Sequence, residues 1–275
     1  MPLAIHCKDL RKTYDSKPPV EAVRGIDLAV EEGECFGVLG PNGAGKTTTI
    51  EILEGLLEPT SGEVEILGMR WRDHAPAIRQ QIGISLQETR FSDKLTVRET
   101  LALFRSFYRS GVTPEEAMAR VSLEEKADVW IKNLSGGQKQ RLAVATALVG
   151  DPLLTFLDEP TTGLDPHSRR PLAAIILDCR RQRRTTLLTT HYLEEAERVC
   201  DRVAIVDHGQ VIALGTPREL IVRLGGEHVV EFSVHSPDAA SLPAETWKEI
   251  PSVVDGRHDD GLIHLSVNEP HIAVP

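Results

Sequence analysis

Cysteine is scarce in this sequence: four residues in 275, Cys7, Cys35, Cys179 and Cys200, with no C-x-x-C pair among them. That spacing argues against a zinc site or a disulfide framework and fits a reduced, cytosolic setting. Long apolar runs are also missing. None approaches the ~18 residues a membrane helix needs, and no apolar signal region follows Met1, so the chain is expected not to cross a membrane by itself. Positive charge is in the minority, with 31 Lys and Arg against 41 Asp and Glu and a net charge of -10, which argues against a nucleic-acid surface. From Ser236 onward seven acids face two bases, so the end of the chain alone carries -5. What is present is a 41% hydrophobic complement, enough for a substantial core in one large or two modest domains.

The rest is organised around Gly40-Pro41-Asn42-Gly43-Ala44-Gly45-Lys46-Thr47, a G-x-x-x-x-G-K-[ST] phosphate-binding loop. The apolar run Cys35 to Leu39 before it reads as a buried strand. Thr48 to Leu57 after it carries Ile50, Leu53, Leu56 and Leu57 at helical spacing. Glycines let the backbone curl around phosphate oxygens, and free N–H groups at the helix start favour anions. Lys46 would reach the β- and γ-phosphates, and the Thr47 hydroxyl would ligate Mg²⁺.

Leu3 to Lys8 and Val20 to Val30 read as strands, with Tyr14 between them, one of three tyrosines. Tyr14 fits either stacking on a nucleotide base or an ordinary strand end. Gly62 to Leu67 and Ile82 to Leu86 are further strands, Pro76 to Gln81 a helix, and Gln87 follows its strand as a ligand for Mg²⁺ or water, or as a solvent-facing polar residue. Thr96 to about Lys132 shows helical spacing only, with helices over Val97 to Tyr108 and Ala117 to Ala127, and its aromatics between Phe91 and Tyr108 are expected in a core. Leu134-Ser135-Gly136-Gly137-Gln138 opens a helix to about Leu148. Ser135 and Gln138 make a capping box by themselves, but two glycines in the first turn weaken a helix by about 1 kcal/mol each unless something must approach the backbone.

Leu153 to Leu157 is a buried strand ending on Asp158-Glu159. After a phosphate loop, such an Asp holds Mg²⁺ and the next Glu polarises an attacking water. Asp165 and Pro166 suit a helix start. Thr185 to Thr190 is a strand, with His191 opening the next helix at a position that can touch a γ-phosphate. Val203 to Val206 and Gln210 to Leu214 form a last strand pair, Pro217 to Leu224 a helix, and Gly225-Gly226 a boundary. Beyond it Val229 to Val234, Val253-Val254 and Leu262 to Val267 read as strands of a β-rich appendage. No helix follows to cover them, so the appendage is expected to be cut short.

Together these segments resemble the ATP-binding cassette (ABC) ATPases, over residues 3 to about 224 and with every marker in family order. Gly40 to Thr47 matches Walker A, Leu153 to Asp158 Walker B, and Leu134 to Gln138 the family-specific LSGGQ signature. Tyr14 sits at the A-loop, Gln87 at the Q-loop, Asp165 at the D-loop and His191 at the H-loop. The resemblance implies an α/β P-loop NTPase with a mixed, largely parallel core sheet, an N-terminal antiparallel β subdomain and an inserted helical subdomain at about 88–133. The domains are then 1–225 and a small β-rich extension, 226–275. It also implies Mg-dependent ATP hydrolysis. Tyr14, Gly40, Pro41, Asn42, Gly43, Ala44, Gly45, Lys46, Thr47 and Thr48 would hold ATP, joined by Ser135, Gly136, Gly137, Gln138 and Asp165. Thr47, Gln87 and Asp158 would hold Mg²⁺, and Glu159, His191 and Gln87 would act in catalysis.

The family mechanism pairs two cassettes head to tail around two ATP molecules, each gripped by Walker A of one and the signature of the other. The chain by itself agrees, offering two phosphate half-sites far apart in sequence that a two-fold pair would complete. The expected partners are a second ABC ATPase subunit, in a homodimer, and separate transmembrane permease subunits at the cytoplasmic face of the membrane, with no nucleic acid. Within the family the chain is most similar to ABC-2 type exporter ATPases of drug and antibiotic resistance. The competing class is a soluble ABC ATPase acting on ribosomes or DNA. It is disfavoured by the single cassette, the acidic balance, and the lack of sustained heptads or a cysteine cluster.

Overall fold

The computed structural model describes residues 2–87, 89–164, 166–223, 228–233, 247, 249–259, 262–267 and 272. The chain divides into two units, Met1–Leu214 and Gly215–Pro275. In the first, β1 (Leu3–Tyr14) and β2 (Val20–Glu31) pair antiparallel along most of their length. Next comes β3 (Cys35–Leu39), whose five residues are all buried, as a parallel strand covered on both faces requires. The phosphate loop delivers the chain into α1 (Lys46–Leu53), and β4 (Ser61–Ile66) then returns to the other side of β1. Helix α1 is shorter than its apolar spacing predicts. Gly55, at φ 73°, stops it in the left-handed conformation that commonly ends helices.

Helix α2 (Trp71–Arg79) starts earlier than expected, because it is two short pieces joined across a non-helical His74, with Pro76 opening the second piece. After β5 (Ile82–Ser85) come α3 (Val97–Arg105) and α4 (Pro114–Arg120). The helix expected to reach Ala127 ends at Arg120, because Ser122 turns left-handed at φ 53°. Only single 3-10 turns follow, at Glu124–Lys126 and Ile131–Asn133. The aromatics expected in a core divide: Tyr108 packs by Gly150 and donates to the Ile82 carbonyl at 3.2 Å, whereas the phenylalanines of this segment do not enter the core. Helix α3 turns Val97, Thr100 and Leu101 inward and ends at Arg105, which leaves Phe107 61% exposed beyond it. Phe91, Phe104 and Phe107 pack edge to face on one another instead.

Helix α5 (Gly136–Leu148) leads into β6 (Leu154–Leu157), followed by α6 (Pro166–Arg181), β7 (Thr185–Thr190), α7 (Leu193–Val199), β8 (Arg202–Asp207) and β9 (Gln210–Gly215). The main sheet runs β5-β6-β7-β3-β8-β9. β5, β6, β7, β3 and β8 are mutually parallel. β9 returns through the two-residue turn His208-Gly209, both at positive φ, the turn chemistry of an antiparallel hairpin. The core lies between the two sheets, where Ile5, Leu10, Val23 and Ile26 of the antiparallel sheet meet Phe36, Phe156, Ile50 and Leu53, all nearly inaccessible. At about 2–3 kcal/mol for each large side chain, this burial is what fixes β3 and α1 around the loop they flank.

The second unit holds α8 (Pro217–Arg223) and an antiparallel sheet ordered β10 (His228–Ser233), β12 (Leu262–Val267), β11 (Val253–Asp259). Ile263, Leu265 and Val267 are its buried centre, with Phe232 edge-on to Trp247. Gly225 and Gly226, the expected boundary, lie outside the described residues. Among the described residues no helix is long and apolar enough to cross a membrane. The four thiols are free, and burial pushes Cys7 up to about 12 and Cys179 to about 11, which suppresses the reactive thiolate.

One carboxyl stands out against this background. Glu54, just past α1, is 3% exposed and neither carboxyl oxygen has a hydrogen-bond partner among the described residues. Burial, with Asp158 and Glu51 nearby, raises its pKa from 4.5 to about 8. The folded state therefore holds a proton that the unfolded state releases between those values, and stability falls as pH rises through that window. Glu54→Gln abolishes this dependence. In denaturation curves of wild type and variant, the stability difference is expected to move in favour of the variant by about 2–4 kcal/mol from pH 5 to pH 8.5. A difference independent of pH would mean that Glu54 is solvated.

Candidate active site at the strand ends

Because β3, β5, β6 and β7 run parallel, their carboxyl ends share one edge of the sheet, where α/β folds place their ligands. The residues singled out in the sequence follow those ends: Gly40 directly after β3, Gln87 two residues after β5, Asp158 and Glu159 after β6, and His191 after β7.

The loop after β3 has the backbone its glycines predict. Gly45 sits at φ 99°, and a Cβ there would lie 2.4 Å from the Ala22 carbonyl oxygen. Gly43, at φ 82°, faces open space. Helix α1 begins with Gly45 as its cap and no side chain bonded to its first N–H groups, so those donors point into the loop. Lys46 is buried, with Nζ donating to the Gly40 and Pro41 carbonyls at 2.8 and 3.0 Å. Thr47 is exposed at the loop's mouth. Tyr14 reaches the same place, 37% exposed, its hydroxyl 3.4 Å from Thr48 Oγ1.

Glu159 is the centre of the arrangement. It is 8% exposed and its backbone is left-handed at φ 43°, a conformation that costs a non-glycine residue about 1–3 kcal/mol. Its Oε2 accepts from Gln87 Nε2 at 3.2 Å and from Thr162 Oγ1 at 2.8 Å. His191 Nδ1 lies 3.5 Å from the same oxygen, and Lys46 Nζ 3.9 Å from Oε1. Groups past all four strand ends thus converge on one carboxylate. Asp158 beside it is tied to β5 by its N–H on the Ser85 carbonyl at 2.9 Å. Burial raises the Asp158 pKa above the usual carboxylate range, Glu159 adds to the rise, and Thr189 and Lys46 oppose it.

Sequence reasoning missed the hydroxyls that hold these acids. Thr189 is fully buried, donates to Asp158 Oδ1 and accepts from the Glu159 N–H at 2.8 Å, so one side chain spaces both. Thr162 donates to the Glu159 carboxylate. The signal was present in Thr185-Thr186-Leu187-Leu188-Thr189-Thr190, a wholly buried strand that is two-thirds threonine. Buried hydroxyls need partners, and a strand end beside two acids supplies them.

Ser135 to Gln138 is not joined to the phosphate loop by any hydrogen bond or ion pair among the described residues. Ser135 N donates to Gln138 Oε1 at 2.9 Å and Gln138 N to Ser135 Oγ at 3.3 Å, a complete capping box. Gly136 has nothing within 4 Å of where a Cβ would stand, so packing within the chain gives no reason for glycine there. Asp165 lies outside the described residues. His191 precedes the helix it was expected to open, since α7 starts at Leu193.

The family model for the ABC transporter matches residues 23–162, a span running from β2 through Glu159. The chain belongs to the ABC transporter family. It is an ATPase of that family, binding and hydrolysing ATP. Nod factor export ATP-binding protein I of Burkholderia pseudomallei (strain 1710b) is 41% identical over 248 residues, 88% of this chain and 79% of the relative. The protein of the same name from Rhizobium meliloti (strain 1021) is 40% identical over 244 residues, 87% of this chain and 72% of the relative. Among solved structures, the ATP-binding cassette MJ0796, dimeric in a post-hydrolysis state bound to ADP and Pi, superposes with TM-score 0.71 at 27% identity. That match covers 78% of this chain and 99% of the cassette. An ATP-binding subunit of an ABC transporter gives TM-score 0.71 at 30% identity over 80% of this chain and 93% of the subunit. An ABC cassette therefore accounts for the first unit.

Proposed function

We propose that this ABC ATPase powers export through separate permease chains, bound peripherally at the cytoplasmic face of the membrane and working as a homodimer. The observation that carries the catalytic part is the convergence of Lys46, Gln87, Thr162 and His191 on the buried Glu159. In this reading Tyr14 stacks on the adenine, and Gly40 to Thr48 wraps the phosphates through its N–H groups. Lys46 exchanges its loop carbonyls for phosphate oxygens. Glu159, an acceptor beside a water-accessible loop mouth, takes the proton of the attacking water, and His191 contacts the γ-phosphate.

The residues around Asp158 suit Mg²⁺, since a buried carboxylate, the exposed Thr47 hydroxyl and the Gln87 amide oxygen are all hard oxygen donors. Gln87 uses its N–H₂ on Glu159, which leaves the oxygen for a cation. Bound there, Mg²⁺ supplies charge neutralisation to the phosphates. Ser135 to Gln138 and Asp165 act in the site of a second copy, where the bare Gly136 lets a triphosphate approach the start of α5.

The export direction is supported by the export proteins the chain resembles, and the dimer by the paired cassette MJ0796. The permease is expected near Gln87 and on the helical segment that follows it, in which Leu103 and Phe107 are 46% and 61% exposed. Purification of the tagged chain from native membranes, with mass identification of what accompanies it, tests the assignment. A polytopic membrane protein in near-equal amount, crosslinking to the segment 91–108, is the expected result. Ribosomal or DNA-repair proteins in its place would overturn the transport role and leave the ATPase standing.

A further inference from the structure

Glu195 lies in the first turn of α7, outside the set of groups that reach the phosphate loop. Its side chain is 16% exposed and has more partners than a helix-start acid needs. Thr161 Oγ1 lies 2.6 and 2.7 Å from its two oxygens, Thr190 Oγ1 donates to Oε2 at 2.8 Å, and Arg169 Nη1 is 3.5 Å from Oε1. Thr161 stands two residues after Glu159, and Thr190 directly before His191. One carboxylate therefore ties the segment leaving β6 to the segment leaving β7. A second branch starts at the same point. The Arg169 guanidinium lies over the Tyr192 ring at 4.5 Å, and that ring is 3.9 Å from the His191 ring, tilted by 43°. The Tyr192 N–H donates to Thr190 Oγ1 at 3.0 Å. The circuit closes at His191 Nδ1, 3.5 Å from Glu159.

We propose that Glu195, Arg169 and Tyr192 are positioning residues that set the angle and distance between His191 and Glu159. This rests on the catalytic reading of that pair given above. The three residues sit on different elements: Glu195 joins the two strand ends, Arg169 comes from helix α6, and the Tyr192 ring packs against the His191 imidazole. The stack needs a planar cation and an aromatic ring, so lysine at 169 does not replace arginine. The Tyr192 hydroxyl takes no part in it. Thr161 needs only its hydroxyl.

The test is steady-state ATP hydrolysis by the full chain in its assembled complex. Tyr192→Ala and Arg169→Met are expected to lower kcat by about tenfold to a hundredfold, the usual cost of losing a group that orients a reacting one, with KM for ATP within about twofold of wild type. Tyr192→Phe should keep wild-type kcat and KM, since the ring alone makes the stack. Thr161→Val should lower kcat and Thr161→Ser restore it, which keeps the test open if the Tyr192 or Arg169 variants fail to fold. Wild-type kcat in Tyr192→Ala or in Thr161→Val, or an equal loss in Tyr192→Phe, would overturn the proposal and leave Glu195 a helix-start acid. Glu159→Gln assayed alongside separates the two levels. Normal turnover there removes the catalytic reading itself, whereas loss there with wild-type kcat in Tyr192→Ala removes only the brace.

Discussion

Glu159→Gln is expected to bind ATP with near wild-type affinity, to hydrolyse it at least about 10²-fold more slowly, and to accumulate as an ATP-bound dimer. The substitution preserves size and one carbonyl oxygen, so Thr162 keeps an acceptor and the left-handed backbone, held by the Glu159 N–H on Thr189, is undisturbed. What it removes is the negative charge and the ability to take a proton. A positioned general base contributes about 10²–10⁴ in rate, and no other described carboxylate offers a replacement. Asp158 is occupied by Thr189 and assigned to the cation, and Glu195 is held by Thr161, Thr190 and Arg169. ATP affinity should survive because the phosphate-binding groups, the α1 N–H donors and Lys46, are untouched, and Lys46 loses a like-for-like competitor for its charge. Hydrolysis is also what releases the dimer in this reading, so a species of doubled mass in size-exclusion chromatography with ATP should appear only in the variant. Turnover within about tenfold of wild type would remove Glu159 from the role of base.

How far the site could be read in advance depends on the range of the interactions that form it. The phosphate loop was legible because its chemistry is local: the turn needs glycine at Gly43 and Gly45, and strand and helix flank it within the same stretch. The four strand ends were legible one by one, and parallel pairing then brought them to one edge. The hydroxyl clamps were not. Thr189 and Thr161 acquire meaning only when β6 and β7 lie side by side, a contact across some thirty residues that no periodicity records, and Thr162 only once the turn after β6 folds it back on Glu159. The aromatics of the helical segment misled for the opposite reason. Val97, Leu101, Phe104 and Tyr108 fit helical spacing, but the helix stops at Arg105 and the later rings fall outside its buried face. Helix ends failed where a single non-glycine residue, such as Ser122, takes a left-handed turn that composition does not announce.

Ser135→Arg should leave ATP binding by the single chain unchanged and abolish both ATP-driven dimerisation and turnover, lowering the rate by roughly 10²-fold or more. The argument begins with what the chain's own structure explains and what it does not. The same capping box recurs at Thr96 with Glu99, at Thr113 with Glu116 and at Ser135 with Gln138, and again at Thr216 with Glu219. In the first two the opening helical positions are Val97-Arg98 and Pro114-Glu115, ordinary residues for a capped helix. In the third they are Gly136-Gly137, which cost helix stability, and Gly136 has no neighbour that a Cβ would meet. A cap alone accounts for Ser135 and Gln138 but not for the glycines. A triphosphate presented by another copy accounts for all four, because it needs bare N–H groups and room for the backbone to come close. Ser135→Ala separates these contributions, since it removes the cap oxygen, at about 1 kcal/mol, without filling the space. If packing at the helix start were the whole role, Ala and Arg would cost similar stability and both would dimerise with ATP. If the stretch is the second half of a phosphate site, Ala weakens dimerisation in the Glu159→Gln background while Arg, a bulky chain placed against the incoming nucleotide, prevents it.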